Sequence, residues 1–240
     1  MAIPTYKNLL DAGVHFGHQK KKWNPKMSPY IFMERKGIHV IDLNRTLEGM
    51  EKAGNALKQI AKSGKKILFV STKKQSRTIV SEAAQSVGMP YVVDRWLGGM
   101  MTNFATIRRS VKKKQNIENM LNDSNVTSIT KKERLTLGRE RDKLDKVLGG
   151  IETMTRIPSA VFIVDIMHEH LAVAESTKLG VKTFGIVDTN SNPNLVDFPI
   201  PGNDDASKSI EIITQYIADC IKEGLAERNS KKEAAAAEAK

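Results

Sequence analysis

The chain has 240 residues, 40% of them hydrophobic, a formal net charge of +11 and a pI near 9.6, so it can bury a core and global disorder is excluded. Its single cysteine excludes a disulfide-stapled secreted scaffold and favours a reducing cytoplasm; neither a signal peptide nor a run of roughly 18 apolar residues for a membrane span is found. The net charge exceeds the roughly 2–8 that serves solubility in a small domain, which indicates a protein that binds a polyanion.

Residues 1–43 form a predicted N-terminal segment that mixes aromatic, proline and basic residues. Residues 30–33 and 38–41 predict a small hairpin within it. Lysines neutralise phosphates and aromatic rings stack on unpaired nucleobases, so the segment is a candidate RNA-binding surface. In the alternative interpretation the rings, Phe32 above all, belong to the core and the lysines are solvated. The candidate RNA-binding residues here are Lys20, Lys21, Lys22, Trp23, Lys26 and Arg35.

Residues 44–101 and 156–227 are predicted to form an α/β domain. Continuous apolar runs between helical patterns are typical of strands buried on both faces of a parallel sheet. The four predicted strands span residues 66–72, 89–94, 159–165 and 181–188. Three of the intervening helices end at a glycine that a strand follows, namely Gly64, Gly88 and Gly180. A final helix is predicted to begin at Asn203 with two acidic residues in its first turn. The pattern predicts a doubly wound parallel sheet.

Residues 102–155 are too many for an ordinary crossover helix and predict an inserted antiparallel helical hairpin with a turn at residues 122–125. Its apolar seam is interrupted toward the tip by Lys114 and Glu118. Residues 105–156 carry 13 Lys and Arg against 7 Asp and Glu, so more than half of the net charge lies here. The candidate RNA-binding residues are Arg108, Arg109, Lys112 and Lys113. Residues 228–240, rich in Ala, Glu and Lys, are predicted to be a disordered tail.

A nucleotide-binding enzyme with a doubly wound sheet should carry a phosphate-binding loop at the carboxyl end of one of the first two main strands. Residues 72–77 contain no glycine-rich phosphate loop, and Gly98 and Gly99 lack the spacing of one. Catalytic triads, nucleophile elbows and carboxylate pairs are not found by spacing, and a fold alone gives no activity. We therefore expect a non-enzymatic protein; a nucleotide-using enzyme and a free regulatory RNA-binding protein are the alternatives. The residues at these ends are basic, so Lys73, Lys74 and Arg95 join the candidate RNA-binding residues.

Two histidines allow a metal site. His15 and His18 form an H-x-x-H pair, and Asp188 and Asp204 offer carboxylates from distant loops. Zinc takes three or four N, S or O ligands, although no thiol lies nearby in sequence. The pattern supports either a zinc site formed by His15, His18, Asp188 and Asp204, or histidines that only cap and hydrogen-bond.

Several motifs of the chain occur in order in one known family. They are LLDAGVHFGH at residues 9–18, WNPKM-PYIF at 23–32, GIHVIDL at 37–43, FVSTKKQ at 69–75, RWLGGMMTNF at 95–104 and IPGNDDA at 200–206. With these motifs the chain closely resembles the bacterial small-subunit ribosomal protein S-two family over residues 6–225.

The resemblance implies a flavodoxin-like α/β domain that carries a coiled-coil hairpin, in agreement with the pattern above. It also implies a structural role on cytoplasmic ribosomes, without a membrane or a small-molecule substrate. The implied partners are small-subunit ribosomal RNA near the junction of head and body, other small-subunit proteins, and the mRNA-binding ribosomal protein S-one, which the chain would help to dock. Lys20–Lys22 and the tail lie outside the motifs, so the resemblance assigns them no role.

Overall fold

The structure, a computed structural model, describes residues 3–122 and 130–238. The helices span Tyr6–Asp11 (α1), Leu43–Lys62 (α2), Arg77–Ser86 (α3), Phe104–Asn122 (α4), Lys131–Leu148 (α5), His170–Leu179 (α6) and Ser207–Glu238 (α7). The strands span Phe16–Gln19 (β1), Ile31–Arg35 (β2), Ile38–Ile41 (β3), Ile67–Val70 (β4), Tyr91–Val92 (β5), Ala160–Val164 (β6), Lys182–Val187 (β7) and Phe198–Pro201 (β8).

The main sheet has five parallel strands in the order β5-β4-β6-β7-β8. This is a doubly wound order of the flavodoxin type. The order in which strands are added reverses between β4 and β6, so β5 lies on one side of this point and β7 and β8 lie on the other. The predicted fold is therefore confirmed. Strand β8 was not predicted, because Pro199 and Pro201 argue against a strand. They are tolerated since β8 lies at the edge of the sheet.

Apolar residues on both faces of the sheet explain why its strands read as continuous apolar runs. Alternate residues of a strand point to opposite faces. Phe69 and Phe162 therefore meet edge to face, 5.5 Å between ring centroids, in the core covered by α2, α3 and α7. Leu68 and Val161 face the other core, which α6 and the base of α4 and α5 cover.

A second, antiparallel sheet has the order β1-β3-β2 and contains the predicted hairpin of β2 and β3. Strand β1, which is only four residues long, was not predicted. The backbone N–H of His18 donates to Thr189 Oγ1, and the backbone N–H of Asn24 donates to the carbonyl oxygen of Thr189, both at 2.8 Å. These bonds hold β1 beside the carboxyl end of β7. Gly17 permits the approach, since a Cβ there would lie 2.6 Å from the Thr189 side chain.

Helices α4 and α5 pack against each other in antiparallel directions, with Lys113 facing Glu140 and Arg134 donating to the carbonyl oxygen of Leu121. The side chain and backbone of Thr130 and Glu133 form a reciprocal capping box at the start of α5. The turn predicted at residues 122–125 lies mostly outside the described residues.

The C-terminal helix differs from the prediction at both ends. Asn203 Oδ1 accepts hydrogen bonds from the backbone N–H groups of Asp205 and Ala206, so residues 203–206 form a turn and α7 begins only at Ser207. The helix continues to Glu238 and so includes residues 228–238, which were predicted to be disordered. Ala, Glu and Lys are strong helix formers and extend a helix that is already nucleated. None of the described helices has the length and apolar content of a membrane span.

Candidate nucleic-acid interface and metal centre

The carboxyl ends of β4 and β6 are joined by a buried ion cluster. Lys73 Nζ lies 2.7 Å from Asp165 Oδ2, 2.7 Å from Asp204 Oδ1 and 2.9 Å from Asp205 Oδ1. Burial alone would lower the pKa of Lys73, but these carboxylates hold it above its usual value. Lys73 was a candidate RNA-binding residue, and this placement corrects that prediction. Its charge is neutralised inside the domain by acids that lie 92, 131 and 132 positions further along the chain.

A second internal contact occupies the loop after β4. The buried Glu169 accepts hydrogen bonds from the backbone N–H and the hydroxyl of Thr72, at 2.7 and 2.6 Å. Nucleotide-binding folds of this class place ligands outside the carboxyl ends of the strands, where the strand order reverses. Here the side chains of Lys73 and Glu169 occupy that place. The geometry agrees with the lack of a phosphate loop in the sequence.

Three of the four predicted metal ligands converge. Ligand atoms of His18, Asp188 and Asp204 lie within 4.8 Å of one another, and His18 Nδ1 lies 3.0 Å from Asp188 Oδ2. They come from β1, from the end of β7 and from the loop after β8. His15 is not part of this group; its ring packs on Phe16, 4.0 Å between centroids. His15 lies in the turn before β1, whereas His18 lies within that strand.

The electrostatics of this cluster fit a cation. Asp204 is fully buried, and its Oδ2 has no hydrogen-bond partner among the described residues. Burial, together with the neighbouring charges of Asp165 and Asp188, raises the pKa of Asp204 to about 7 although Lys73 opposes the shift. The hydrogen bond to Asp188 raises the pKa of His18. One imidazole and two carboxylates are a donor set that zinc accepts, and the orphaned oxygen is available as a ligand.

The basic residues of the N-terminal segment lie on the surface. Lys20, Lys21 and Lys22 form one turn of 3₁₀ helix and are exposed, with Lys20 paired to Glu34 at 2.7 Å. Trp23 is 38% exposed, and its ring centroid lies 5.2 Å from that of the buried His39. Lys26 and Arg35 are also exposed. The sequence analysis missed His39, since nothing in the spacing pairs it with Trp23.

The basic residues of the hairpin differ in their exposure. Arg109 and Lys112 are exposed on α4, and Lys113 is exposed but paired with Glu140. Arg108 is half-buried and donates to the carbonyl oxygen of Glu152 at 3.0 Å. Lys74 and Arg95 are exposed in the loops that follow β4 and β5. The structure therefore presents two basic surfaces, one on the N-terminal segment and one on α4, with two further cations at the edge of the sheet.

An apolar groove lies beside the small sheet and was not foreseen. It has a volume of about 480 Å³, and exposed apolar side chains line it, with Phe16 52% and Phe32 72% exposed. The interpretation of Phe32 as a core residue is therefore wrong, because its side chain lies exposed on β2. Other apolar residues of the groove are Tyr6, Leu10, Met33 and Ile38.

Comparison with known proteins places the chain in a family. The family model of ribosomal protein S2 matches residues 9–224. The chain is 58% identical to the small ribosomal subunit protein uS2 of Cytophaga hutchinsonii, over 95% of this chain and 90% of that protein. It is 56% identical to the protein of the same description from Bacteroides thetaiotaomicron, over 97% and 84%, and 54% identical to that of Porphyromonas gingivalis, over 97% and 83%.

These matches confirm the resemblance drawn from the motifs and the expected location on the ribosome. They also confirm the non-enzymatic role, since the family consists of structural proteins. As a constituent of the small subunit, such a protein associates with ribosomal RNA and with other small-subunit proteins. The chain belongs to the ribosomal protein S2 family and is a structural component of the small ribosomal subunit that acts in translation.

Proposed function

We propose that the chain binds small-subunit ribosomal RNA near the junction of head and body through its two basic surfaces. The N-terminal surface consists of Lys20, Lys21, Lys22, Trp23, Lys26 and Arg35. The hairpin surface consists of Arg108, Arg109, Lys112 and Lys113. Lys74 and Arg95 add contacts at the sheet edge.

The exposed cations of the N-terminal surface carry this proposal. Lys21, Lys22 and Lys26 are exposed and form no ion pair with another described residue. Elsewhere the lysines Lys58, Lys62 and Lys73 are paired with carboxylates of the same domain. Cations that the chain does not neutralise itself are available to phosphates. The half-exposed ring of Trp23 between them supports stacking on an unpaired base.

The salt dependence of RNA binding tests this proposal. Each neutralised phosphate contributes a slope of about −0.7 to −0.9 to a plot of log affinity against log salt. Replacing Lys20, Lys21 and Lys22 by Gln should flatten that slope. The matched control replaces three exposed lysines elsewhere, Lys65, Lys178 and Lys222, and should leave it unchanged. An equal effect of the two triple variants would assign the binding to net charge alone.

The same proposal includes docking of ribosomal protein S-one at the apolar groove. Monomeric proteins rarely expose a contiguous apolar surface of this kind without a partner. The exposed rings of Phe16 and Phe32 supply contact area, and the cations Arg35 and Lys36 lie at the rim of the groove. These features support a protein partner at this surface and a polar rim around an apolar centre.

We also propose a structural zinc ion held by His18, Asp188 and Asp204. When bound, the metal would supply a divalent charge to a cluster rich in carboxylates. The three residues come from segments far apart in the chain, so the ion would tie the N-terminal segment to the carboxyl edge of the main sheet. The buried, unpartnered Asp204 Oδ2 supports the proposal. His15, one of the four predicted ligands, has no part in it.

A further inference from the structure

The motif at residues 95–104 has no role in the function proposed so far, apart from Arg95. Within this loop lies the carboxylate of Glu175, which comes from α6. Its Oε1 accepts hydrogen bonds from Trp96 Nε1 at 3.0 Å and from the backbone N–H of Gly99 at 2.8 Å. Its Oε2 accepts from the backbone N–H groups of Met101 and Thr102, both at 2.9 Å, and from Thr102 Oγ1 at 3.1 Å. One side chain thus holds a loop of seven residues.

The charge of Glu175 matters to this arrangement. Burial would raise its pKa, but the hydrogen bonds from Thr102, Trp96, Met101 and Gly99 outweigh burial and hold the pKa below its usual value. Both oxygens are acceptors only in the ionised form. Hydrogen bonds to a carboxylate are stronger than those between neutral groups, so the loop is fixed by an internal anion.

The loop leads directly into the hairpin. Asn103 N donates to the carbonyl oxygen of Gly99, and the carbonyl oxygen of Asn103 accepts from Thr106 and Ile107 in the first turn of α4. Trp96, Met100 and Met101 are buried in the same core as Ile107 and Val111 of that helix. The path from α6 to the start of α4 is therefore continuous, through the carboxylate, the loop and the core.

We propose that Glu175 is a positioning residue that sets the direction of the helical hairpin relative to the sheet, so that Arg95 and the basic residues of α4 meet the same RNA. This inference rests on the proposed RNA binding. It assigns to α6 a part in recognition although Glu175 itself touches no RNA.

Replacement of Glu175 by Gln is the most discriminating change. The carboxamide keeps the shape of the side chain but has a single acceptor oxygen, and its NH₂ group only donates. In either orientation of the carboxamide, its NH₂ group faces hydrogen-bond donors of the loop that Glu175 now satisfies. Trp96→Phe removes one donor while leaving the carboxylate in place, and serves as a second, milder variant.

The direction of the hairpin is measurable without RNA. Spin labels at Lys143→Cys on α5 and Glu82→Cys on α3, both exposed positions, report the distance from hairpin to sheet domain in a Cys220→Ala background. We expect a broader or shifted distance distribution in E175Q, and a smaller change of the same kind in Trp96→Phe. Ile217→Ala, in the core on the opposite face of the sheet, should destabilise the domain without altering the distribution.

RNA affinity, measured well below the unfolding temperature, is the second readout. A loss of orientation should weaken binding by about threefold to thirtyfold in E175Q, whereas Ile217→Ala should bind as the unaltered chain does. Failure of the unaltered chain to bind RNA would refute the proposed function, and the distance distribution would still decide the role of Glu175. An unchanged distribution in both E175Q and Trp96→Phe would overturn the inference, as would a change of equal size in Ile217→Ala.

Discussion

Lys73 Nζ lies 2.7 Å from Asp165 Oδ2, and this pair joins the ends of β4 and β6 at the place where the order of the sheet reverses. Doubly wound proteins usually bind a ligand there. In this chain the site is filled by side chains of opposite charge, because Asp204 and Asp205 also form ion pairs with Lys73. The same fold that carries nucleotides elsewhere thus serves as a closed, structural domain.

Replacement of Lys73 by Met should destabilise the domain strongly. The change leaves the buried carboxylates of Asp165 and Asp204 without their cation, and loss of one partner of a buried pair costs about 3–5 kcal/mol. Lys74→Met, at the exposed neighbouring position, should change the free energy of unfolding by no more than about 0.5 kcal/mol. Urea denaturation measures both. Similar small losses in the two variants would mean that the ion cluster contributes little.

Zinc should bind the purified chain at close to one ion per molecule and raise its melting temperature. A ligand present at 100 times its dissociation constant stabilises the folded state by about 2.7 kcal/mol. His18→Asn and Asp204→Asn should abolish both effects, whereas the control His15→Asn should retain them. Elemental analysis and thermal denaturation with and without a chelator provide the measurement. Zinc retained by His18→Asn but lost by His15→Asn would contradict the assignment of ligands.

Phe32→Ala should weaken the association of ribosomal protein S-one with small subunits while leaving the chain folded. Phe32 is 72% exposed, so its ring contributes to a partner surface far more than to the core. Leu135→Ala removes a similarly exposed apolar side chain from α5, 58% exposed, and is the control. Cosedimentation of S-one with reconstituted subunits gives the readout. Equal retention of S-one by both variants would place the docking surface elsewhere.

Shortening the hairpin should test whether its distal part contributes to stability or to incorporation into small subunits. Lys114, which interrupts the apolar seam, is buried and lies 2.6 Å from Asp145 Oδ1 and 2.8 Å from Glu152 Oε2. Replacing residues 118–142 by a short Gly/Ser turn keeps these pairs and the apolar base. We expect a nearly unchanged melting temperature, because the removed part lies outside the main cores. We also expect nearly normal incorporation into small subunits, because Arg108, Arg109, Lys112 and Lys113 remain and the removed residues carry five basic and five acidic side chains. Clearly weaker incorporation with an unchanged melting temperature would place the RNA contacts of the hairpin in its distal part.

The stability of the domain should depend on Glu175 in acid. Because its pKa in the folded chain is below the ordinary value of 4.5, ionised Glu175 stabilises the folded state fully above about that pH. This contribution is lost as the pH falls through the folded-state pKa. E175Q should therefore show a shallower decrease of unfolding free energy below about pH 4.5, with Glu82→Gln, an exposed change on α3, as the control. Parallel curves for E175Q and the unaltered chain would contradict this.

Local patterns in the sequence were sufficient for most of the fold. The apolar runs of β4, β6 and β7 and the capping box at Thr130 depend on residues that are close together in the sequence. The three glycines that were predicted to end helices have left-handed φ values, +76° for Gly64, +62° for Gly88 and +64° for Gly180. Strands β1 and β8 were not predicted because each has only four residues and β8 contains two prolines.

The candidate site was predictable only in part, for a related reason. Exposure of Lys20–Lys22 follows from composition, but the burial of Lys73 depends on Asp204 and Asp205, which lie more than 130 positions away. His18 and Asp188 were chosen by chemistry and do meet, whereas His15 points away. The role of Glu175 was not predictable, because it lies on α6 and its donors, which are Trp96 Nε1, Thr102 Oγ1 and backbone N–H groups, belong to a loop more than 70 positions earlier in the chain.

Ultraviolet cross-linking of this chain to RNA in reconstituted small subunits, followed by mass spectrometry of the cross-linked peptides, tests the proposed RNA-binding surfaces. We predict cross-links in peptides that contain residues 20–26 and residues 105–113, from the N-terminal and hairpin surfaces. Cross-links confined to other faces of the domain, with both of these peptides free of RNA, would show that RNA binds elsewhere on the chain.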